Sequence, residues 1–275
     1  MKAGTIARAV LAGCLLLSNG PSAAQDGEDD WDFGADPARK LSIAAVTFPN
    51  FGVAVRCMDT NLSVVLSGLP LASGERTLRY RMGDDPETET RWISGSDSSS
   101  AFAIWPRSVA TRLSRGGRLS ITAQDGETAR RFVVDLPASD SSISQVFRAC
   151  GHDLEPPGQV SAPGGADFAG MVWVRSPEIN FPDRARYGSG LAAILCYVRP
   201  DGGLRDCTAE SEFPEGSGFG RAATLGAHQT AKVAASAGSI GSIADRRITF
   251  VTRYSLDGGP GLTPAPSRLP AGNGD

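Results

Sequence analysis

The 275-residue chain has little of what most enzymes and nucleic-acid-binding proteins use. It contains only two histidines, His152 and His228, so few imidazoles are available as general bases or metal ligands. Lys and Arg (27) do not outnumber Asp and Glu (30), and no basic block occurs, which argues against nucleic acid as a partner. Neither a G-x-S-x-G elbow nor a phosphate-binding G-x-x-x-x-G-K-[ST] loop is present. Aromatic residues are scarce (7%) while Gly (33) and Pro (18) are plentiful, which predicts short elements joined by loops.

The apolar run at the start of the chain is too short to cross a membrane. It extends from Ala9 to Leu17, about half of the roughly 20 residues that a bilayer-spanning helix needs. Lys2 and Arg8 precede it, and small residues lead up to Ala24, which is the pattern of a signal peptide cut after Ala24. The rival interpretation is a lipoprotein signal in which Cys14 is lipidated. With the signal removed, we expect a periplasmic or secreted protein without a stable membrane span.

Composition divides the remaining chain into two folded segments with flexible segments around them. Residues 151–170 hold five Gly and three Pro, which predicts a linker. Residues 257–275 hold five Gly and four Pro, which predicts a disordered tail. Residues 25–30 form a flexible acidic lead-in. The expected fold class is α+β with two small domains: a β-rich domain at 31–150 and a helix–hairpin–helix–strand domain at 171–256.

The first segment contains short β-prone runs bounded by turn residues. They predict strands at 51–57, 62–67, 76–82, 90–93, 101–105, 119–124 and 131–136, and helices at 106–114 and from Ser141 or Ser142 to Cys150. This pattern faintly resembles a family of exported proteobacterial domains that includes proteins associated with type VI secretion. The residues that carry the resemblance are Arg56-Cys57, Trp92 and Ala149-Cys150. The resemblance implies no known chemistry.

The four cysteines that remain after signal removal predict two disulfides, because an even number of cysteines in an exported protein indicates that they are paired. A four-residue turn at 200–203 would make strands 191–199 and 204–210 a hairpin. If Arg199 faces Leu204, Cys196 lies opposite Cys207, within reach of a bridge. Cys57 and Cys150 then form the second pair. The alternative is free buried thiols; a zinc site is less consistent, since no histidine or further cysteine lies near Cys196 and Cys207.

The second segment resembles the C-terminal domain of TonB-type proteins. Its order is a short helix from Phe181 to about Gly188, the hairpin, a small-residue helix over 219–234, and an alternating strand over 246–255. The matching residues are Phe181-Pro182, Ala185, Gly190, Asp201-Gly202, Phe219 to Val233 and Ile248 to Tyr254. They cover about 80 residues, less than a third of the chain.

The resemblance implies a periplasmic adaptor. The family binds an extended peptide of an outer-membrane receptor beside its final strand, so the expected partner is an envelope or outer-membrane protein. Carried over to this chain, the partner-binding edge would comprise Ile248, Phe250, Thr252 and Tyr254. The alternative is that the chain itself or a second subunit of a homodimer covers this strand. Force transduction is doubtful, since a cleavable signal replaces the membrane anchor of a transducer.

We predict no catalytic residue, no cofactor and no metal. His152 is expected in the linker and His228 on a helix surface, neither with a defined catalytic partner. Glu210, Glu212 and Glu215 could act as an acid–base pair, but a solvated loop with Glu215 near the start of the following helix accounts for them as well.

Two classes of function therefore remain. The first is a non-catalytic periplasmic binding or adaptor protein. The alternative is a secreted, envelope-active enzyme or enzyme inhibitor. A polar turn at 84–87 (Asp-Asp-Pro-Glu) lacks the spaced ligands of a calcium loop, so it favours neither class.

Overall fold

The computed structural model describes residues 31–139, 141–154, 170–183 and 186–256, and the backbone of 261–263. The predicted signal peptide, lead-in, most of the linker and most of the tail lie outside these residues. The described chain is mostly β-sheet with three α-helices, which agrees with the α+β prediction at that level. The helices are α1 (Pro106–Leu113), α2 (Ser141–Ala149) and α3 (Phe219–Thr230).

Nine strands form one antiparallel sheet in the order β1-β2-β3-β4-β7-β6-β5-β8-β9. Their bounds are β1 (Asp32–Asp36), β2 (Leu41–Phe48), β3 (Phe51–Met58), β4 (Asn61–Ser67), β5 (Glu75–Met82), β6 (Thr88–Ser94), β7 (Ala101–Ala103), β8 (Gly117–Asp125) and β9 (Thr128–Leu136). The seven strands predicted from 51 to 136 are all present, whereas β1 and β2 are additional. A short 3-10 helix, Pro37–Arg39, joins those two.

Alternating side chains of the nine-stranded sheet build its core. Strand β5, for example, alternates exposed and buried residues along its length, and Leu78 and Tyr80 point into the core. The sheet curls enough for Phe51 of β3 to stack on Phe132 of β9, with ring centroids 5.1 Å apart. Helix α2 buries Ile143, Val146 and Phe147 against this core, as its spacing predicts.

The predicted bridge between Cys57 and Cys150 is present. It joins β3 to the residue that follows α2, with the two Cα atoms 5.6 Å apart. This distance lies within the usual range for a disulfide. The bridge therefore fixes the last helix of this part of the chain to one of its central strands.

A second, four-stranded sheet has the order β12-β11-β14-β15. Its strands are β11 (Ser189–Val198), β12 (Leu204–Phe213), β14 (Arg247–Ser255) and β15 (Gly261–Thr263). Strand β11 is almost continuously apolar because both of its faces are buried. Ile194 and Val198 pack in the core beneath α3, whereas Leu191 and Ala193 pack in a separate cluster towards the nine-stranded sheet.

The hairpin of β11 and β12 differs from the prediction in register but keeps its disulfide. Val198, not Arg199, pairs with Leu204. A bulge in β12, where Asp206 adopts a positive φ of 49°, then shifts the register by one residue. Asp tolerates this conformation better than most residues. The shift places Cys207 beside Cys196, and their Cα atoms are 4.1 Å apart in the bridge.

Two other predictions in the second segment, and one for the tail, need correction. The described residues 181–183 and 186–188 form no helix; Phe181 instead packs edge-on against Phe219 and Tyr254, with centroids 5.5 and 5.9 Å apart. Helix α3 ends at Thr230, because Ala231 is extended and the next residues form β13 (Lys232–Ala235), which pairs with β10 (Met171–Arg175).

The tail is the third correction. It was predicted to be disordered from 257 onward, yet Gly261–Thr263 forms β15 and pairs with β14. The remaining tail residues, 257–260 and 264–275, lie outside the described residues.

Candidate functional site

The two larger sheets meet at an apolar junction. Ile104 contributes to it from beyond β7, and Leu191, Ala193 and Phe213 contribute from the hairpin; all four are buried. Phe102 of β7 lies against Phe213, with ring centroids 5.9 Å apart. Ser211 Oγ donates a hydrogen bond to the carbonyl oxygen of Ile104 (2.6 Å). This junction positions the charged groups on either side of it.

A buried ion pair lies at one end of the junction. A second bulge in β12 makes Glu210 an extra residue, since Ala193 pairs with Ser211 while Ile194 pairs with Ala209. The Glu210 carboxylate, only 5% exposed, accepts hydrogen bonds from Nε (2.7 Å) and Nη2 of Arg107 in the first turn of α1. Such a two-point contact fixes the orientation of both side chains.

His152 lies beside this ion pair rather than in a flexible linker. Its backbone N–H donates to the Phe147 carbonyl oxygen (3.0 Å), which continues the end of α2. Burial lowers the pKa of His152, and the positive charge of Arg107 lowers it further, although Glu210 and Asp153 oppose the shift. These effects favour the neutral form of the His152 imidazole. The other histidine, His228, is exposed in the last turn of α3, as predicted.

At the other end of the junction, a cleft of about 800 Å³ opens between the two sheets. Two further ion pairs line it. Arg56 of β3 donates to Glu215 (2.8 Å), and Arg253 of β14 donates to Glu75 of β5 through Nη2 (2.6 Å) and through Nε. The hydrogen bond from Arg253 is the main reason that the pKa of Glu75 is lowered.

The wall of this cleft also contains polar atoms that the described residues leave unsatisfied. Arg253 Nη1 and Ser94 Oγ are buried without a hydrogen-bond partner within that part of the chain. Unsatisfied buried polar atoms are uncommon in folded proteins and call for a physical explanation. Their presence distinguishes the cleft from the junction beside it, where Ser211 and Glu210 are paired.

The three carboxylates singled out in the sequence take three separate roles. Glu210 pairs with Arg107, Glu215 with Arg56, and Glu212 accepts from the backbone N–H of Gly220 (2.8 Å) at the start of α3. The expectation of a solvated loop was therefore wrong, and Glu212 rather than Glu215 lies at the helix start. No local pattern around these carboxylates indicates their arginine partners, which come from distant segments.

The four residues predicted as a partner-binding edge lie on the inner face of β14. Ile248, Phe250, Thr252 and Tyr254 are all buried. Tyr254 stacks on Phe219 of α3, with centroids 4.2 Å apart, and its hydroxyl donates to the Phe219 carbonyl oxygen (2.8 Å). Their side chains hold the strand in place and are not available to contact a partner.

The backbone of β14 shows which residues face its outer edge. Val198 N–H donates to Arg246 O (2.9 Å), and Leu256 N–H donates to Gly188 O (3.0 Å). The register between β11 and β14 is continuous between these points, so the even-numbered residues of β14 exchange hydrogen bonds with β11. The backbone groups of the odd-numbered residues, such as Thr249 and Val251, point to the other edge.

That outer edge already carries a strand from the same chain. Strand β15 pairs antiparallel with β14 through Val251↔Thr263, Thr252↔Leu262 and Arg253↔Gly261. It covers three of the nine residues of β14. The alternative left open by the sequence, that the chain covers its own edge strand, thus holds for this stretch.

Within the described ranges, no group of three or more His, Cys, Asp or Glu side chains is arranged to hold a metal ion. In the same residues, no helix combines the length and apolarity needed to cross a membrane. The two disulfides fit an oxidising compartment. The signal peptide that would lead there lies outside the described residues.

Comparisons of the chain with family models, with curated proteins and with solved structures found no match in any of the three. The likeness to TonB-type domains accordingly has no support beyond the residues that carry it. One of them, Gly190, has a physical role here: a Cβ atom at this position would collide with the carbonyl oxygen of Phe213 and the ring of Phe219.

Proposed function

We propose that the protein is a non-catalytic binding or adaptor protein of the bacterial envelope that docks an extended segment of a partner by strand addition at the outer edge of β14. The observation that carries the proposal is the pairing of β15 with β14. This pairing indicates that the outer edge of β14 accepts an antiparallel strand. Strand addition derives its affinity from backbone hydrogen bonds of this kind.

The way β14 is held supports its use as a docking strand. Its inner face is anchored by buried Ile248, Phe250 and Tyr254, and β11 pairs with all nine of its residues. A strand fixed on its inner face and on one edge presents its other edge without a further loss of conformational entropy. The three residues of β15 are a short competitor, which a longer partner strand could replace.

The compartment is the second part of the proposal. Two disulfides and the predicted signal peptide support a periplasmic or secreted location. The TonB-like order of elements suggests an outer-membrane protein as partner. The alternative, an envelope-active enzyme, gains no support from the three carboxylates that could have served it. Each already has a partner within the protein: Glu210, Glu212 and Glu215.

The experiment uses the protein's own tail as a strand of known sequence. A fluorescent peptide of residues 257–275 is titrated against a chain truncated after Leu256, and binding is followed by anisotropy. We expect saturable binding to the truncated chain and at least tenfold weaker binding to the full-length protein, whose own tail competes. Absence of binding to the truncated chain would contradict strand addition at this edge.

A matched pair of variants tests the edge itself. Val251→Pro removes an N–H that faces outward, whereas Val251→Thr retains it and keeps the β-branched shape. We expect the proline variant to lose peptide binding and the threonine variant to keep it, with circular dichroism showing that both are folded. The same pair then serves in pull-downs from solubilised envelope. An outer-membrane protein captured by the truncated chain and its threonine variant, but not by the proline variant, is the expected partner.

A further inference from the structure

The cleft between the two sheets has the size of a small-molecule site. It is lined by side chains, that of Arg253 among them, and differs in this from the outer edge of β14, which offers backbone groups. Its volume of about 800 Å³ falls within the range of roughly 300–1,000 Å³ that is typical of ligand pockets. Such pockets occur preferentially where two packed units meet, as the two sheets do here. No residue of the chain's described parts fills this space.

The lining of the cleft is mainly apolar. Ile93 and Phe102 come from the nine-stranded sheet, and Leu191 and Phe213 from the hairpin. Tyr187, 41% exposed, stands at the opening, and Leu256, 70% exposed, lies against Gly188 next to it. An apolar body that enters the cleft would therefore contact side chains from both sheets and remove part of this rim from water.

The charges that line the cleft already neutralise one another. Arg56 is paired with Glu215 and also lies over the Phe102 ring, 5.1 Å from its centroid. Arg253 is paired with Glu75. Two positive and two negative groups leave the walls without net charge. A charged ligand would lose its hydration without gaining a free counter-charge, and this cost selects against it. Arg253 Nη1 and Ser94 Oγ, which have no partner among the described residues, offer hydrogen-bonding positions to a neutral polar group on an otherwise apolar ligand.

We propose that this cleft binds a small, uncharged and mainly apolar molecule with an aromatic or aliphatic body. The apolar residues of both sheets set the shape of the cleft, and the two ion pairs form its polar walls. Because the cleft contains residues from both sheets, the ligand also holds the sheets together. This site is independent of strand addition and would remain if the β14 edge proved to bind nothing.

The test uses two dyes of similar shape but different charge. N-phenyl-1-naphthylamine is neutral, and 8-anilinonaphthalene-1-sulfonate is its anionic counterpart; both fluoresce in apolar surroundings. We expect the full mature chain to bind the neutral dye at a single saturable site, and the anionic dye at least tenfold more weakly. Equal or tighter binding of the anionic dye would overturn the proposal.

Two substitutions that fill the cleft locate the site; one lies in β11 and the other in the loop after β6. Ser189 and Ser96 are exposed residues of its lining, so Ser189→Trp and Ser96→Trp each place an indole in it. Thr208→Trp is the matched control, on an exposed position of β12 outside the cleft. We expect both cleft variants to lower the affinity for the neutral dye at least tenfold, with the control unchanged. Circular dichroism checks the fold, and either cleft variant is sufficient if the other does not fold.

Two further outcomes would contradict the assignment. Affinity that survives a folded cleft variant would place the dye elsewhere on the molecule. A tenfold rise in affinity on removing residues 264–275 would show that the protein's own tail occupies the cleft, and the small-molecule proposal would then be abandoned.

Discussion

Glu210, at a bulge in β12, directs its carboxylate onto the guanidinium group of Arg107 in the first turn of α1, and this pair joins the second sheet to that helix. The bulge leaves Glu210 without a pairing residue on β11, whereas in a regular strand it would have one. The bulge, the Arg107–Glu210 pair and the hydrogen bond from Ser211 to Ile104 together fix how β12 lies against the nine-stranded sheet. The cleft on the other side of the junction depends on this arrangement.

Replacing Glu210 by Gln is expected to destabilise the protein. The substitution keeps the size of the side chain but leaves the partly buried Arg107 without its counter-charge. We expect a loss of about 2–3 kcal/mol in the free energy of unfolding. Urea unfolding followed by tryptophan fluorescence measures it.

The control is Asp135→Asn, which breaks the exposed pair of Asp135 with Arg118. Because both partners are well exposed, the expected loss is below about 0.5 kcal/mol. Equal effects of Glu210→Gln and Asp135→Asn would contradict a structural role for the buried pair. In a double-mutant cycle, Arg107→Met combined with Glu210→Gln should cost less than the sum of the two single changes.

The ion pair between Glu75 and Arg253 should make the free energy of unfolding depend on pH in the acidic range. Its hydrogen bond lowers the pKa of Glu75 in the folded state below that in the unfolded chain. The pair's contribution is therefore fully present above the unfolded pKa, about 4.3, and is lost as pH falls through the folded pKa. We expect Glu75→Gln to cost about 1 kcal/mol at pH 7, with the difference from the parent shrinking below about pH 4.5.

Unfolding curves of both proteins between pH 7 and pH 3 measure this dependence. A difference that stays constant over the whole range would show that Glu75 contributes by packing and not by charge. Glu87→Gln is a suitable control, since Glu87 lies 3.8 Å from Arg79 in a well-exposed pair and no large effect is expected at any pH.

The two disulfides should differ in how much each contributes to the free energy of unfolding. Cys57 and Cys150 are 93 residues apart in sequence, whereas Cys196 and Cys207 are 11 apart. By loop-closure entropy, the first bridge stabilises by about 4.6 kcal/mol and the second by about 2.8 kcal/mol. We expect the double variant Cys57→Ser/Cys150→Ser to lose more stability than Cys196→Ser/Cys207→Ser in guanidinium unfolding. The reverse order would show that strain or residual structure outweighs chain entropy.

Local patterns predicted all seven strands from β3 to β9, helices α1 and α2 and both disulfides, because turn residues, periodic apolar positions and the cysteine spacing indicate them. They missed β10 and β13, which are short and pair with each other from distant parts of the chain. They also missed the junction. Its ion pairs join residues 103, 159 and 178 positions apart, and nothing near Arg107, Arg56 or Arg253 in sequence indicates the partner. One local signal was available for Arg56, a lone charge in an otherwise apolar strand.

The pairing of Cys196 with Cys207 depends on the bulge at Asp206, because the bulge sets the register between their strands. Asp206 has a φ of 49°, a conformation that Gly adopts freely and a β-branched residue resists. We expect Asp206→Gly to change the free energy of unfolding by only a few tenths of a kcal/mol, and Asp206→Val to lower it by about 1–2 kcal/mol. Because both variants lose the exposed contact of Asp206 with Arg205, the difference between them isolates the backbone conformation. Equal stability of the two variants would mean that the hairpin can close its disulfide without the bulge.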